Sequence, residues 1–324
     1  MQGMWTCDQL TLLVQVLLRN TSVLRGLGNA AYKKPLYKLL HLMNRDSVDG
    51  SKKNISAHYD LGNKLFENFL DPTMTYSSGF FEQSDSTMQQ ASTAKLDRIC
   101  QKLALNESDH VVEIGTGWGG FAIYAAKNYG CKVTTTTISI EQYKLAKHRV
   151  KEAGLGGQIK VLLKDYRLLK GRYDKLVSIE MIEAVGQSYW PTYFQKISQL
   201  LKPGGKACIQ SIVIDDIYFD RYVKSTDFIQ QYIFPGGCLP SPKEFRRQAR
   251  LAGLEVIDEL KFGPDYAETL RRWRHDFMAQ EAQVLQLGFD AKFVRLWEFY
   301  LAYCEAAFDE ANTDVMQFTL QKRA

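Results

Sequence analysis

Between His110 and Ile214, short runs rich in β-branched and aliphatic residues alternate with stretches of helical length, and this alternation constrains the fold more than any other feature. His110–Ile114, Lys132–Thr137, Ile159–Leu163, Lys175–Ile179 and Lys206–Ile214 read as strands. Gly119–Tyr129, Ile140–Ala153 and Tyr189–Leu201 read as the helices between them. Strands separated by helices of this length form βαβ units, so the spacing predicts an α/β fold on a parallel sheet. Pro203-Gly204-Gly205 is expected to end a helix and turn the chain into the fifth strand. Leu254–Leu260 and Val315–Leu320 supply a sixth and a seventh strand. Between these two, residues 267–312 form a helical insertion carrying Trp273, Phe277, Trp297, Tyr300, Tyr303 and Phe308, a spacing that more often fills a core than lines a pocket.

The run Glu113-Ile114-Gly115-Thr116-Gly117-Trp118-Gly119-Gly120 ends a strand and opens a helix. Glycines at 115 and 117 allow a tight turn with no Cβ in the way, so a ligand can approach the backbone closely. Dinucleotide-binding folds use a similar turn, but here the third glycine of that fingerprint is displaced, and Lys132–Thr137, about twenty residues on, offers no carboxylate for a ribose diol. Glu113 stands two residues before the first glycine, as in the E-x-G-x-G turn of methyltransferases.

Charge is concentrated at one end. Residues 1–53 carry eight basic side chains (Arg19, Arg25, Lys33, Lys34, Lys38, Arg45, Lys52, Lys53) against Asp8, Asp46 and Asp49, a surplus that accounts for the whole net charge of +5. Leu10, Leu13, Val14, Leu17, Leu18, Leu24 and Leu27 recur at roughly helical spacing in this segment, and Lys33–Met43 again mixes lysines with apolar residues. Such helices lie on an anionic membrane surface or pack on the main domain or a second subunit. The apolar run Leu10–Leu18 is too short to span a bilayer and has no flanking cleavage signal, so a cytoplasmic protein is expected. The six cysteines form no Cys-x-x-Cys pair, which argues against zinc or a redox dithiol, and no metal is expected. The main domain has no basic-aromatic patch, so no nucleic-acid partner is expected.

Several motifs in order give the chain a recognisable likeness. They are His58-Tyr59-Asp60-Leu61-Gly62-Asn63, Asp71-Pro72-Thr73-Met74-Thr75-Tyr76-Ser77, the Glu113–Gly120 turn, and Glu180-Met181-Ile182-Glu183-Ala184-Val185-Gly186. Tyr232–Pro240, Phe262-Gly263-Pro264-Asp265-Tyr266 and Gln317–Lys322 complete the set. From about Ile55 to Lys322 the chain resembles the cyclopropane-fatty-acid synthase family, which includes the mycolic acid cyclopropane synthases. The resemblance implies a seven-stranded Rossmann-like methyltransferase sheet using S-adenosylmethionine, with a helical N-terminal arm (1–53) and a methyltransferase domain (54–324) bearing lipid-binding helical insertions. It places Tyr76, Ser77, Gly115 and Gly117 near the methionine part of the cofactor, Thr137, Ile138 and Gln142 near its ribose, and Asp165 and Tyr166 near its adenine. Read without the resemblance, Thr137 and Gln142 are ordinary helix-capping and surface residues.

The family reaction moves a methyl group from sulfonium to a cis double bond, and the resulting cation loses a proton as a cyclopropane ring closes. The family base is a bound bicarbonate, which the resemblance assigns here to Glu183, Tyr266 and the backbone N–H of Ile212. A carboxylate beside a buried anion should itself be protonated or hydrogen-bonded. The chain departs from the best-known members at Ser78, where they carry Cys, and at Gln210, where many carry His; both can still donate hydrogen bonds to a carbonate-like anion. No histidine replaces the lost one, since His41, His58, His110, His148 and His275 fall outside the constellation. Phe80, Phe81, Tyr218, Phe219, Tyr222, Tyr232 and Phe234 are candidates for lining an acyl tunnel and stabilising a cation.

The expected activity is therefore methyl transfer to unsaturated phospholipid acyl chains at the inner face of a membrane, with ring closure. Its rivals are a branched or methylene fatty-acid methyltransferase, a sterol or small-molecule methyltransferase, and a membrane-binding scaffold without activity. The family is often dimeric, so a homodimer is compatible with the resemblance.

Overall fold

The structure, a computed structural model, describes residues 2–20 and 61–323. The Lys33–Met43 stretch, the His58-Tyr59-Asp60 part of the first motif and the expected boundary between residues 53 and 54 lie outside the described residues.

Seven strands form one sheet in the order β3-β2-β1-β4-β5-β7-β6. They are β1 (His110–Ile114), β2 (Lys132–Thr137), β3 (Ile159–Leu163), β4 (Tyr173–Ile179), β5 (Leu201–Ile214), β6 (Leu254–Lys261) and β7 (Thr313–Lys322). The first five are parallel, as expected; β7 runs antiparallel between β5 and β6. The Pro203-Gly204-Gly205 turn proves to be an irregularity inside β5, where pairing with β4 jumps from Tyr173–Leu201 to Lys175–Lys206. A Cβ at Gly205 would stand 2.9 Å from the Lys202 carbonyl, so the bulge needs glycine.

Helices α1 (Leu10–Arg19), α2 (Asn63–Glu67) and α3 (Met88–Leu103) precede the sheet; α4 (Gly120–Tyr129), α5 (Ile140–Glu152) and α6 (Trp190–Leu200) connect the parallel strands. Side-chain capping sets several starts: Ser139 accepts from the Gln142 N–H at α5, and Thr87 closes a capping box with Gln90 at α3. On one face of the sheet Trp190, Tyr193, Phe194 and Ile197 of α6 pack with Phe245 of α9 (Pro242–Leu251); on the other, Leu96, Ile99 and Leu103 of α3 pack with Phe121 and Ala125 of α4.

The chain between β5 and β6 contains α7 (Asp216–Tyr222) and α8 (Phe228–Tyr232) before α9, and the insertion between β6 and β7 consists of α10 (Gly263–Ala279), α11 (Glu281–Gln286) and α12 (Ala291–Asp309). Trp273, Phe277 and Trp297 from the insertion join Phe66, Phe69 and Trp118 in an aromatic core beyond the carboxyl ends of the strands. Helix α1 packs on α12: Leu10 and Val14 are buried, Thr11 donates to Glu305 at 3.0 Å, Gln15 to Asp309 at 2.9 Å, and Arg19 pairs with Glu310 at 2.7 Å. The described part of the basic arm is thus docked on the main domain, while Trp5, Leu12, Val16 and Leu17 remain exposed beside it.

Candidate active site

The sheet order reverses between β1 and β4, and the loops after these two strands open onto a cavity of about 750 Å³. Open α/β sheets bind ligands at such a reversal, because neighbouring connections leave on opposite faces there. Gly115 (φ +99°) and Gly117 (φ +50°) shape the loop after β1, and a Cβ at Gly117 would meet no heavy atom within 4 Å, which leaves the backbone open to a ligand. Glu113, at the end of β1, is buried, lines the cavity and has one carboxylate oxygen, Oε2, without a hydrogen-bond partner. Burial pushes its pKa up to about 8. A ligand with a cationic or hydrogen-donating group would satisfy that oxygen.

Twelve of the fourteen residues assigned from the resemblance to the cofactor and the reacting centre line this cavity: Tyr76, Ser77, Gly115, Gly117, Thr137, Ile138, Gln142, Asp165, Tyr166, Glu183, Ile212 and Tyr266. Their local bonds define what each offers. Tyr76 shares a hydrogen bond with Tyr300 at 2.8 Å and stacks on Trp273. The Ser77 hydroxyl accepts from the fully buried Lys95 at 2.6 Å. Thr137 donates to the side-chain oxygen of Gln142 at 2.8 Å, while Ser139 is the residue that caps α5. Asp165 reaches the cavity with its carboxylate held by Arg167 at 2.9 and 2.6 Å.

The other two residues, Ser78 and Gln210, are fully buried behind the lining and act differently from expectation. The Ser78 hydroxyl turns away and donates to the carbonyl of Gly79. Its backbone N–H instead donates to Oε1 of Glu180 at 3.0 Å, and the Gln210 amide donates to the same oxygen at 2.7 Å. Tyr266 donates to Oε2 of Glu180 at 2.6 Å. Glu180, which lines the cavity immediately after β4, opens one of the sequence motifs but had no role assigned to it. Its φ of +46° places it in the left-handed region that disfavours side chains. The backbone N–H of Ile212 donates to Oε1 of Glu183 at 2.5 Å, and Oε2 of Glu183 has no partner.

The two carboxylates divide their roles by hydrogen bonding. Burial and the neighbouring Glu180 push Glu183 up to about 8. Burial raises Glu180 as well, but the Lys95 ammonium and the Tyr266, Gln210 and Ser78 donors pull it back. Hydrogen bonding and the Lys95 charge therefore favour charge on Glu180 over charge on Glu183. This arrangement differs from the expected bicarbonate site: Tyr266, Gln210 and the Ile212 N–H already donate to protein carboxylates, so a further anion would find the Glu183 carboxyl as its one assigned donor still unpartnered, beside the Glu180 carboxylate. The residues do not fit a bound bicarbonate.

The opposite side of the cavity is apolar and aromatic. Of the candidate tunnel residues, Tyr218, Tyr222 and Phe234 line it. Phe80 packs on Phe262, Phe81 lies beneath the Arg272 guanidinium, Phe219 stacks on Trp190, and Tyr232 is exposed. In their place Tyr300, Tyr303 and Phe308 of α12 line the wall, so the insertion's aromatic stripe divides between core and cavity.

Comparison with known proteins agrees with this geometry. The family described as mycolic acid cyclopropane synthetase matches residues 47–318. A tuberculostearic acid methyltransferase of Mycobacterium tuberculosis is 40% identical, over 99% of this chain and 77% of that protein. A cyclopropane-fatty-acyl-phospholipid synthase of Escherichia coli is 34% identical, over 99% of this chain and 81% of that protein. A mycolic acid cyclopropane synthase solved in complex with SAH and CTAB superimposes with a TM-score of 0.79 at 31% identity, covering 84% of this chain and 98% of that one.

Proposed function

Because this chain belongs to the mycolic acid cyclopropane synthetase family, we propose that it is an S-adenosylmethionine-dependent methyltransferase acting on the cis double bond of an unsaturated phospholipid acyl chain, with closure of a cyclopropane ring. The observation that carries this reading is the two-sided cavity. One side is a glycine turn with an unsatisfied carboxylate, the other an aromatic wall, and Glu180 and Glu183 stand between them.

Gly115, Gly117 and Glu113 fit the cofactor's amino-acid end, and Thr137, Ile138, Gln142, Asp165 and Tyr166 fit its nucleoside. Bound there, S-adenosylmethionine supplies an electrophilic methyl group on sulfonium. The aromatic wall excludes water from the acyl chain, and the faces of Tyr76, Tyr300 and Phe308 stabilise positive charge on it. The exposed Trp5, Leu12, Val16 and Leu17 on and beside α1, whose Leu18 and Arg19 line the cavity, support contact with a membrane surface from which the acyl chain is drawn. Among the described residues no helix is long and apolar enough to cross a membrane.

A second reading, methyl transfer without ring closure, is favoured by the 40% identity to a protein named as a tuberculostearic acid methyltransferase. The test is incubation with methyl-labelled S-adenosylmethionine and liposomes of mono-unsaturated phospholipid, followed by gas chromatography–mass spectrometry of the acyl chains. A product one CH₂ heavier that resists hydrogenation supports the ring. A product that takes up hydrogen moves the assignment to a methylene fatty acid, and absence of label in lipid overturns the acyl-chain reading.

A further inference from the structure

We infer that Glu180 is a built-in general base, its own carboxylate standing where an exogenous anion would otherwise be required. The inference rests on the proposed alkene methylation and adds to it the group that ends the reaction.

Three features of the geometry converge. The Tyr266 hydroxyl, the Gln210 amide and the Ser78 N–H, the first two assigned in advance to an anion, all point at the two oxygens of one side chain. Gln317 donates to the Gln210 oxygen at 3.1 Å and so fixes which end of that amide faces Glu180. Lys95, fully buried and hydrogen-bonded to Ser77, is pushed down to about 8 by burial yet favours the charged form of Glu180 through its ammonium. Finally, Glu180 holds a left-handed backbone conformation that glycine adopts without strain, yet a glutamate occupies it and directs its side chain at the cavity.

The step balances with the groups named. The alkene π pair forms a carbon–carbon bond to the methyl carbon as the carbon–sulfur bond breaks with its electrons toward sulfur. A Glu180 oxygen then takes a proton from the transferred methyl, and the released C–H pair closes the three-membered ring. The carboxylate becomes a carboxylic acid and passes its proton to solvent when the product leaves. A side chain tied by three donors is held where it can take a proton while its oxygens are kept from capturing the cation.

The test uses the full chain, S-adenosylmethionine and mono-unsaturated liposomes in buffer stripped of carbon dioxide, with and without added bicarbonate. The wild type is expected to turn over equally in both. Glu180→Gly, whose backbone suits the site, is expected to lose roughly 10²–10⁴-fold in kcat. It should also bind S-adenosylhomocysteine as the wild type does and recover part of its rate when bicarbonate fills the vacated space. Glu180→Gln should lose activity without that rescue. As a readout apart from turnover, ¹³C-bicarbonate should show no bound NMR signal with wild type and a bound signal with Glu180→Gly. Wild-type activity that requires bicarbonate, or an undiminished Glu180→Gly, overturns the inference and leaves the methyltransferase reading standing. A wild type that methylates no acyl chain removes both.

Discussion

Replacing Glu113 by Gln should flatten the pH dependence of folding stability in the ligand-free protein. Glu113 has an ordinary value of 4.5 and a folded value of about 8, raised by burial with one oxygen unpaired. Between those two values the folded state holds a proton that the unfolded state has released. Stability from this group is complete below 4.5 and is lost as pH rises toward 8. At about 1.36 kcal/mol per pH unit, the whole window is worth at most ~5 kcal/mol. Glu183, also raised to about 8, adds a parallel slope that survives in the variant. His110, lowered by burial, works in the opposite sense at the acid end and is common to both proteins. Urea unfolding at pH 5, 6, 7 and 8 should show wild-type stability falling with pH more steeply than that of Glu113→Gln, by up to about 1.36 kcal/mol per pH unit. The variant carries an offset of about 1–3 kcal/mol at every pH, because its amide brings an extra donor into a buried place. Parallel curves for the two proteins would refute the assignment of a protonated Glu113 in the folded state.

Three further outcomes follow from the same geometry. Tyr266→Phe removes one charge-assisted bond to Glu180 of about 1.5–3 kcal/mol and should lower kcat roughly ten- to hundredfold, with S-adenosylhomocysteine affinity by calorimetry unchanged. Lys95→Met leaves Glu180 and Asp71 without their buried cation; it should cost about 3–5 kcal/mol in urea unfolding and move the acidic limb of the rate profile to higher pH, since the neutral carboxyl gains. Gly115→Ala puts a side chain at φ +99° and 3.4 Å from Met181; it should weaken S-adenosylhomocysteine binding by at least about tenfold, a strain of about 1–3 kcal/mol.

The frame of the fold is legible because its signals are local. Lys132–Thr137 and Ile159–Leu163 are strands with the expected bounds, as β-branched runs between helices with clear starts should be. Non-local choices are not written in such runs. Nothing within Thr313–Lys322 says that it enters the sheet antiparallel between β5 and β6; that depends on α10–α12 folding over the strand ends and delivering the chain back from that side. The break in β5 pairing likewise depends on β4, because only the neighbour's register makes Pro203-Gly204-Gly205 a bulge instead of a turn. Tunnel residues were misassigned for a related reason. Phe80 and Phe81 are as aromatic as Tyr300 and Phe308, and only the crossing of α12 over the cavity decides which faces the ligand.

Glu180 escaped the sequence reading because Glu183, three residues along, already filled the carboxylate role that the resemblance assigned. The signal was nonetheless present in the pattern of departures. Ser78 and Gln210 do not titrate, they stand where the resemblance implies residues that do, and the five histidines fall outside the constellation. A site built from neutral donors is a poor general base, yet it is a good holder of one. Ser78 through its backbone, Gln210 through its amide and Tyr266 through its hydroxyl do what such donors can: they fix a carboxylate that another position contributes. The strained φ at Glu180 argues the same way from the backbone, since about 1–3 kcal/mol is sustained to keep a side chain where glycine would relax. Ser78, Gln210, Tyr266 and Glu180 thus form one unit, in which neutral donors hold a carboxylate that the chain itself carries.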